Sequence, residues 1–158
     1  MNPTFRPADL DCAADRRTIV QMLNEFMGGQ SHEDMPPIGE GVVDGMKNLG
    51  TARVYFCQAD GEPCGLAVCF LGYSTYQQKV LLNIHDYYIR REHRGQGLGR
   101  RFLQYLEEEC RRSGYGRMTL EVYDDNPKAR QLYSRSGFIG DANGEHNHLI
   151  YAMKKDLA

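Results

Sequence analysis

The sequence predicts a mixed-sheet α/β domain, and three observations carry that expectation. Runs rich in β-branched and aromatic residues at Arg53 to Ala59, Cys64 to Ser74 and Val80 to Arg90 follow one another, with the hairpin signal Asp60-Gly61 between the first two. They make an antiparallel meander. A helical pattern from Gly97 to Arg112 then separates the third run from a strand at Met118 to Tyr123, and a strand, helix, strand crossover joins parallel neighbours. Another helix and a final strand pair complete a mostly antiparallel central sheet with flanking helices.

Each element has its own signature. After a first short strand, Ile19, Met22, Leu23 and Phe26 recur at helical spacing within Leu10 to Met27. Gly28 to Gly45 is the loop-rich zone, carrying Gly28-Gly29, Pro36-Pro37 and three further glycines, and a short helix from Gly41 to Leu49 overlaps its end. In the Gly97 to Arg112 helix, Leu98, Phe102, Tyr105, Leu106 and Cys110 share one apolar face, and Ser113-Gly114 ends it. Asn126 before Pro127 is an N-cap with proline at the first helical position, opening a helix to about Arg135. Gly137-Phe138 leads into the terminal strands, which end near Met153.

A chain of 158 residues with 41% hydrophobic and 25% charged side chains suits one folded domain over 1–158. Nineteen Lys and Arg against 21 Asp and Glu give a net charge of -2, which removes the electrostatic footprint of a general nucleic-acid binder. The apolar stretch Leu66 to Leu71 is too short to span a bilayer, and the start Met-Asn-Pro-Thr-Phe-Arg lacks a signal core, so a cytoplasmic protein without membrane partners is expected. Five irregularly spaced cysteines (Cys12, Cys57, Cys64, Cys69 and Cys110) indicate buried thiols, not a disulfide framework or zinc site. His146 and His148 have no Cys or carboxylate at ligand spacing, so no metal is expected.

The segment after the third strand concentrates the chemistry. Arg94-Gly95-Gln96-Gly97-Leu98-Gly99 joins that strand to a helix, with Arg100 next. Glycines let backbone N–H groups converge, and the helix N-terminus adds partial positive charge, so a diphosphate can sit there without a metal. The spacing is neither that of a Walker loop nor the full dinucleotide fingerprint.

Arg94-x-x-Gly97-x-Gly99 resembles the acyl-CoA diphosphate loop of the GNAT superfamily of N-acyltransferases. The downstream residues are similar as well: Leu120-Glu121-Val122, then Asn126, Ala129, Leu132-Tyr133 and Gly137-Phe138, in the family's order. The resemblance covers Leu81 to Phe138. It implies the GNAT fold, with acetyl-CoA as the usual donor and the pantetheine arm between two splayed parallel strands, paired with the backbone of Tyr87, Tyr88 and Ile89. It assigns Arg94, Gly95, Gln96, Gly97, Leu98, Gly99 and Arg100 to the diphosphate, and Asn126 and Ala129 to the pantetheine. Asn126 as a plain N-cap explains its place nearly as well.

Acetyl transfer needs the amine as free base, and primary amines with pKa near ~10 are mostly protonated at neutral pH. A base within reach is therefore useful, and three residues are candidates. In the family's ribosomal-protein N-terminal acetyltransferase branch the base occupies the matching site of a Leu-Glu-Val strand, which points to Glu121. The diamine and polyamine branch shows Glu-Asp in a setting similar to Ile84-His85-Asp86-Tyr87-Tyr88-Ile89, which points to His85 and Asp86. His85 replaces that Glu, keeping a base with pKa near ~6.5 while dropping a fixed negative charge. Neighbouring strand residues face opposite sides, so His85 and Asp86 share one face only across a bulge. The alternative for each is an ordinary sheet side chain. Tyr133 matches the family's acid for the leaving thiolate, the alternative being a core tyrosine. Cys69 and Cys110, candidates for a two-step route, lack an adjacent base.

The acceptor is expected at the Gly28 to Gly45 zone and the Leu71 to Tyr76 turn, with Phe26, Met27, Ser74 and Tyr76 as contacts. Phe26, Tyr73, Tyr76, Tyr87 and Tyr88 could box a cation, with Glu33, Asp34 or Asp86 supplying charge; packing is the competing explanation. The expected function is direct transfer, through a tetrahedral intermediate, from acetyl-CoA to a small primary amine such as a diamine or polyamine. Peptide or protein N-terminal acetylation and a non-catalytic acyl-CoA sensor are the alternatives. The terminal sheet edge and the family analogy suggest a homodimer.

Overall fold

The computed structural model describes residues 2–29, 35–143 and 150–157. The elements are β1 (Thr4–Pro7), α1 (Ala13–Gly28), α2 (Gly41–Leu49), β2 (Ala52–Ala59), β3 (Glu62–Ser74), β4 (Lys79–Ile89), α3 (Leu98–Arg112), β5 (Arg117–Tyr123), α4 (Pro127–Arg135), β6 (Ile139–Asn143) and β7 (Ile150–Asp156). One seven-stranded sheet runs in the order β1-β2-β3-β4-β5-β7-β6. Its β4–β5 pair is parallel and the remaining neighbours are antiparallel. The mixed, mostly antiparallel sheet is thus as expected. Helix α1 starts at Ala13 and not at Leu10, because a turn closed by the Cys12 N–H to the Asp9 carbonyl at 3.1 Å intervenes.

The sheet separates two cores. On one face α3 buries Phe102, Leu103, Leu106 and Cys110 against Leu82, Ile84, Met118, Leu120 and Met153, with Tyr133 and Phe138 joining from the α4 side. On the other, Ile19, Met22 and Leu23 of α1 and Val43 and Met46 of α2 cover Val54, Phe56, Leu66 and Val68. This explains why β2 and β3 read as near-continuous apolar runs, since Val54 to Cys57 and Cys64 to Cys69 are buried on both faces. Strand β5 differs: Met118, Leu120 and Val122 are buried, whereas Glu121 between them is exposed. Among the described residues, the second core takes no member from β5, β6 or β7, so on this face α1 and α2 do not extend over that end of the sheet.

Two features place the site. The β4–β5 ladder runs from Leu81↔Arg117 to Ile84↔Leu120 and stops there, although β4 continues to Ile89 and β5 to Tyr123. Each strand then follows its outer neighbour, β4 along β3 and β5 along β7. A bulge coincides with the parting: Cys69 pairs with Ile84 and Val68 with Asp86, leaving His85 as the extra residue. The end of the loop zone is latched to α1 by Asn24, whose side chain both donates to and accepts from the Ile38 backbone, at 2.9 and 2.8 Å.

The N-terminus is held by Asp15. Its carboxylate accepts two hydrogen bonds from Arg6 and one from the Asp9 N–H, all at 2.8 Å. The Arg6 hydrogen bonds hold the carboxyl below its usual range despite burial. The folded state therefore binds fewer protons there than the unfolded chain, so the contribution is present above the ordinary carboxyl pKa of about 3.9 and fades as pH falls through the lower folded value. Asp15→Ala is expected to cost about 1–2 kcal/mol at pH 7, at the modest end because Arg6 is partly solvated. Denaturant titrations of both proteins at pH 7 and in acid should show the difference shrinking below pH 4; a constant difference would contradict the ionic origin.

Candidate active site

Beyond Ile89, a single 3-10 turn over Arg91–His93 carries the chain into Arg94-Gly95-Gln96-Gly97. Gly95 and Gly97 both adopt φ of +77°, a left-handed conformation that disfavours side chains, and no heavy atom lies within 4 Å of where their Cβ atoms would stand. The Arg94 N–H reaches the Arg91 carbonyl, and the next backbone N–H with a carbonyl partner is that of Arg101, to Gly97 at 3.1 Å. Among the described residues, the N–H groups from Gly95 to Arg100 are thus unpaired, gathered at the start of α3. Such a cluster, with the positive end of the helix dipole, is the setting that backbone anion sites use.

The neighbours of the loop secure it. The Arg94 Nε donates to the Ile89 carbonyl at 2.7 Å, and its guanidinium lies 5.6 Å from the Tyr88 ring centroid. The Gln96 amide returns to the Glu92 carbonyl at 3.3 Å, and the buried Leu98 anchors the first turn of α3. Gly99 serves packing: a Cβ there would stand 3.2 Å from the Leu132 side chain of α4. The Tyr87 hydroxyl donates to the Gly99 carbonyl at 2.5 Å, tying β4 to α3 beside the parted strands. Arg100 is exposed.

Tyr133 projects from α4 toward this region, packed edge-on against Tyr87 with ring centroids 6.2 Å apart and against Phe138 at 6.0 Å. Burial pushes its phenol up to about 12. Asn126 caps α4 through an acceptor bond from the Ala129 N–H at 3.2 Å, so its capping role is realised.

Glu121 stands on the other face of the sheet, one residue past the last β4–β5 rung. Its carboxylate is approached by the Asn83 side-chain nitrogen at 3.4 and 3.5 Å, and the same nitrogen donates to Thr119 Oγ1 at 3.0 Å. A hollow of about 670 Å³ is lined here by Thr119, Glu121, Ile139, Ala152 and Lys154 among others. Asn83 was not among the expected residues; the signal available was a lone amide inside the apolar run Val80 to Ile84.

The bulge resolves the His85–Asp86 question. Asp86 is in register with Val68, whose side chain belongs to the α1–α2 core, and the His85 ring meets Phe70 of that same core edge-on at 5.5 Å. The register thus gives both residues one face, the face of Glu121. Burial raises the Asp86 carboxyl, and the nearby His85 charge offsets part of that rise.

The expected acceptor residues do not assemble as one group. Ser74 and Tyr76 lie on the β3–β4 turn, at the opposite end of β4 from the glycine loop; Ser74 is buried and accepts from the Gln77 N–H at 3.2 Å, while Tyr76 is 98% exposed. The expectation fails there because a long hairpin carries its turn away from the parted ends. No aromatic box forms among the described residues either. Alternation along β4 sends Tyr87 into the α3 core, against Phe102 at 5.5 Å, and Tyr88 to the α1 side, where Phe26 at 5.7 Å and Arg94 already occupy its surroundings. Tyr73 stays with the distant turn. Glu25 beside Phe26 is engaged by Arg90 Nε at 3.0 Å and Nη2 at 3.1 Å; burial pushes its carboxyl up, but the Arg90 hydrogen bonds prevail and it ends below its usual range. Met27 is half-buried in the last turn of α1. Cys69 and Cys110 are fully buried, which raises both thiols, Cys110 to about 12, so neither is a ready nucleophile. Glu33, Asp34, His146 and His148 lie outside the described residues.

Comparison with known proteins decides what this geometry belongs to. The profile of the acetyltransferase (GNAT) family matches residues 17–138, which takes in both the glycine loop and Tyr133. The chain belongs to the GNAT acetyltransferase family. Among similar proteins, the thialysine N-epsilon-acetyltransferase of Bos taurus is 28% identical over 147 residues, covering 84% of each chain. The streptothricin acetyltransferase of Streptomyces lavendulae is 36% identical over 80 residues, 51% of this chain and 40% of its own. In fold, the chain is similar to yncA from Salmonella typhimurium with its cofactor acetyl-CoA, with a TM-score of 0.75 at 21% identity over 99% and 94% of the two chains. A structure of the NatC complex bound to Gag peptide and CoA also gives 0.75, at 16% identity over the whole of both chains. The GNAT chain described here is accordingly an N-acetyltransferase.

Because Gly97 holds a positive φ at the mouth of the N–H cluster, Gly97→Val should cost about 1–2 kcal/mol of stability. It should also weaken CoA binding more than tenfold, read by calorimetric titration. Gly114, at the far end of α3 with φ of +74°, is the control: Gly114→Val should lose similar stability but keep its CoA affinity. Equal affinity losses would identify the glycine loop as a structural turn alone.

Proposed function

We propose that this chain transfers the acetyl group of acetyl-CoA directly to a primary amine of a small molecule, with diamines, polyamines and lysine-like amino acids as the first acceptors to test. The observation that supports this reading is that unpaired N–H groups from Gly95 to Arg100 follow the strand that parts from β5, with Tyr133 packed against Tyr87 of that parted segment. The residues fit acetyl-CoA: Gly95 to Arg100 would take its diphosphate, and the inner edge of Tyr87 to Ile89 has backbone groups free to pair with an extended amide chain. The acyl thioester, when bound, supplies the activated acetyl group. The thialysine acetyltransferase name of a relative covered over most of its length supports a small amine as acceptor.

In this reading Glu121 removes the proton from the incoming ammonium, with His85 and Asp86 on the same sheet face as alternatives. Tyr133, on the opposite face, gives its phenolic proton to the departing sulfur and regains one from solvent. Base and acid thereby act from two sides of the gap and do not exchange a proton with each other. Intact Tyr133 and Glu121 favour turnover over a binding-only module. The edge strand β6, with Ile139 exposed, supports a homodimer.

Acetyl-CoA at 100 times its dissociation constant should stabilise the protein by about 2.7 kcal/mol, in excess chelator as well as without it. Thermal shift in both buffers measures this, and a shift abolished by chelation would contradict backbone binding of the diphosphate. CoA release with a panel of amines, amino acids, aminoglycosides and short peptides then identifies the acceptor; binding without release on any of them would overturn the small-amine reading.

Tyr133→Phe keeps the aromatic packing and should fold and bind acetyl-CoA almost as the parent does. Turnover should fall roughly 10²- to 10⁴-fold, the range of a positioned acid. With the phenol held to about 12, the parent keeps that proton through neutral and mildly alkaline pH. Unchanged turnover with every accepted amine would make Tyr133 a packing residue.

A further inference from the structure

Asn83 belongs to the last part of β4 that still pairs with β5, in register with Thr119 and one rung before the strands part. Its half-buried amide has two N–H groups on one nitrogen. That nitrogen lies 3.0 Å from Thr119 Oγ1 and 3.4 to 3.5 Å from the two carboxylate oxygens of Glu121, so one N–H serves the hydroxyl and the other faces the carboxylate. Glu121 needs such a partner. Past Leu120 its strand has lost β4 as a neighbour, and an exposed Glu side chain is otherwise spread over several rotamers.

We propose that Asn83 is a positioning residue for Glu121, holding the carboxylate beside the last paired rungs at the edge of the gap, where it can receive the proton of the incoming amine. The proposal rests on Glu121 being the base. An amide donor suits this task because it cannot itself titrate. The charged and titratable groups at register positions on this face are Arg117 and Tyr123 of β5, Lys154 and Asp156 of β7, Asp141 of β6 at the level of Ala152, and His85 and Asp86 of β4 beyond the parting; Arg117 is engaged by Asp156 at 2.6 Å, and Lys154 is in register with Thr119. Asn83 differs from these in reaching both carboxylate oxygens from the strand that bears the other side of the gap.

The test uses the full chain with acetyl-CoA and an accepted amine, following kcat/KM for the amine against pH in Asn83→Ala, Asn83→Asp, Thr119→Val and Glu121→Gln. Asn83→Ala should lower kcat/KM about tenfold. It should leave the KM for acetyl-CoA unchanged, with the loss falling on kcat. Asn83→Asp, nearly isosteric and so retaining the fold, puts a second carboxylate beside Glu121 and should move the acidic limb of the profile to higher pH, with activity recovering in more alkaline buffer. Thr119→Val should leave the limb in place. Combined with Glu121→Gln, Asn83→Ala should have little additional effect. If Asn83→Ala keeps the parent kcat, if the limb stays put in Asn83→Asp, or if Thr119→Val moves it equally, Asn83 is a strand staple and the proposal falls. Normal turnover in Glu121→Gln would instead remove the base assignment, and with it the Asn83 role, leaving the acyltransfer reading to the other bases.

Discussion

Backbone N–H and C=O groups must be paired or solvated, and between β4 and β5 the pairing stops at Ile84 and Leu120. Each strand remains bonded on its outer side, so neither frays; the inner edges simply face one another across a gap. The bulge at His85 supplies the extra residue that lets β4 turn with β3 while β5 stays with β7. A continuous ladder would leave no free inner edge on either strand past Ile84 and Leu120.

Above the gap the electrostatics are local. The chain as a whole carries a net charge of -2, yet the start of α3 gathers unpaired N–H groups with Arg94 and Arg100 beside them. Two glycines at positive φ make that gathering possible, because side chains there would be strained and would also fill the space in front of the N–H groups. The Tyr87 hydroxyl on the Gly99 carbonyl and the Arg94 guanidinium on the Ile89 carbonyl fasten the loop to the end of β4. The glycine loop and the strand parting are thus one construction.

The two faces of the sheet take different parts. The α3 and α4 face is dry, and its burial keeps the Tyr133 phenol protonated. The opposite face is helix-covered only as far as β4 among the described residues, which leaves Glu121 and Lys154 exposed and Thr119 half-buried. In the proposed reaction, acid chemistry would benefit from exclusion of water and an exchanging acceptor from access, and the unequal cover suits both demands.

By itself the sequence determined the mixed sheet, the crossover through α3, the glycine loop and the Asn126 cap, because each rests on local chemistry: period-two and helical patterns, left-handed glycines, and an Asn-Pro helix start. The order Arg94-x-x-Gly97-x-Gly99, Glu121, Tyr133 was legible in the same way and carried the family resemblance. Direction and partnership were decided by the tertiary structure. Only the register shift shows that His85 and Asp86 share a face, and only hairpin length shows that Ser74 and Tyr76 sit at the far end of β4 from the loop. The aromatic box failed for the same reason, since alternation sends Tyr87 and Tyr88 to opposite cores. Asn83 reaches Glu121 across 38 positions of chain, a contact that no local pattern encodes, because it exists only where two parallel strands pair for four rungs and then part.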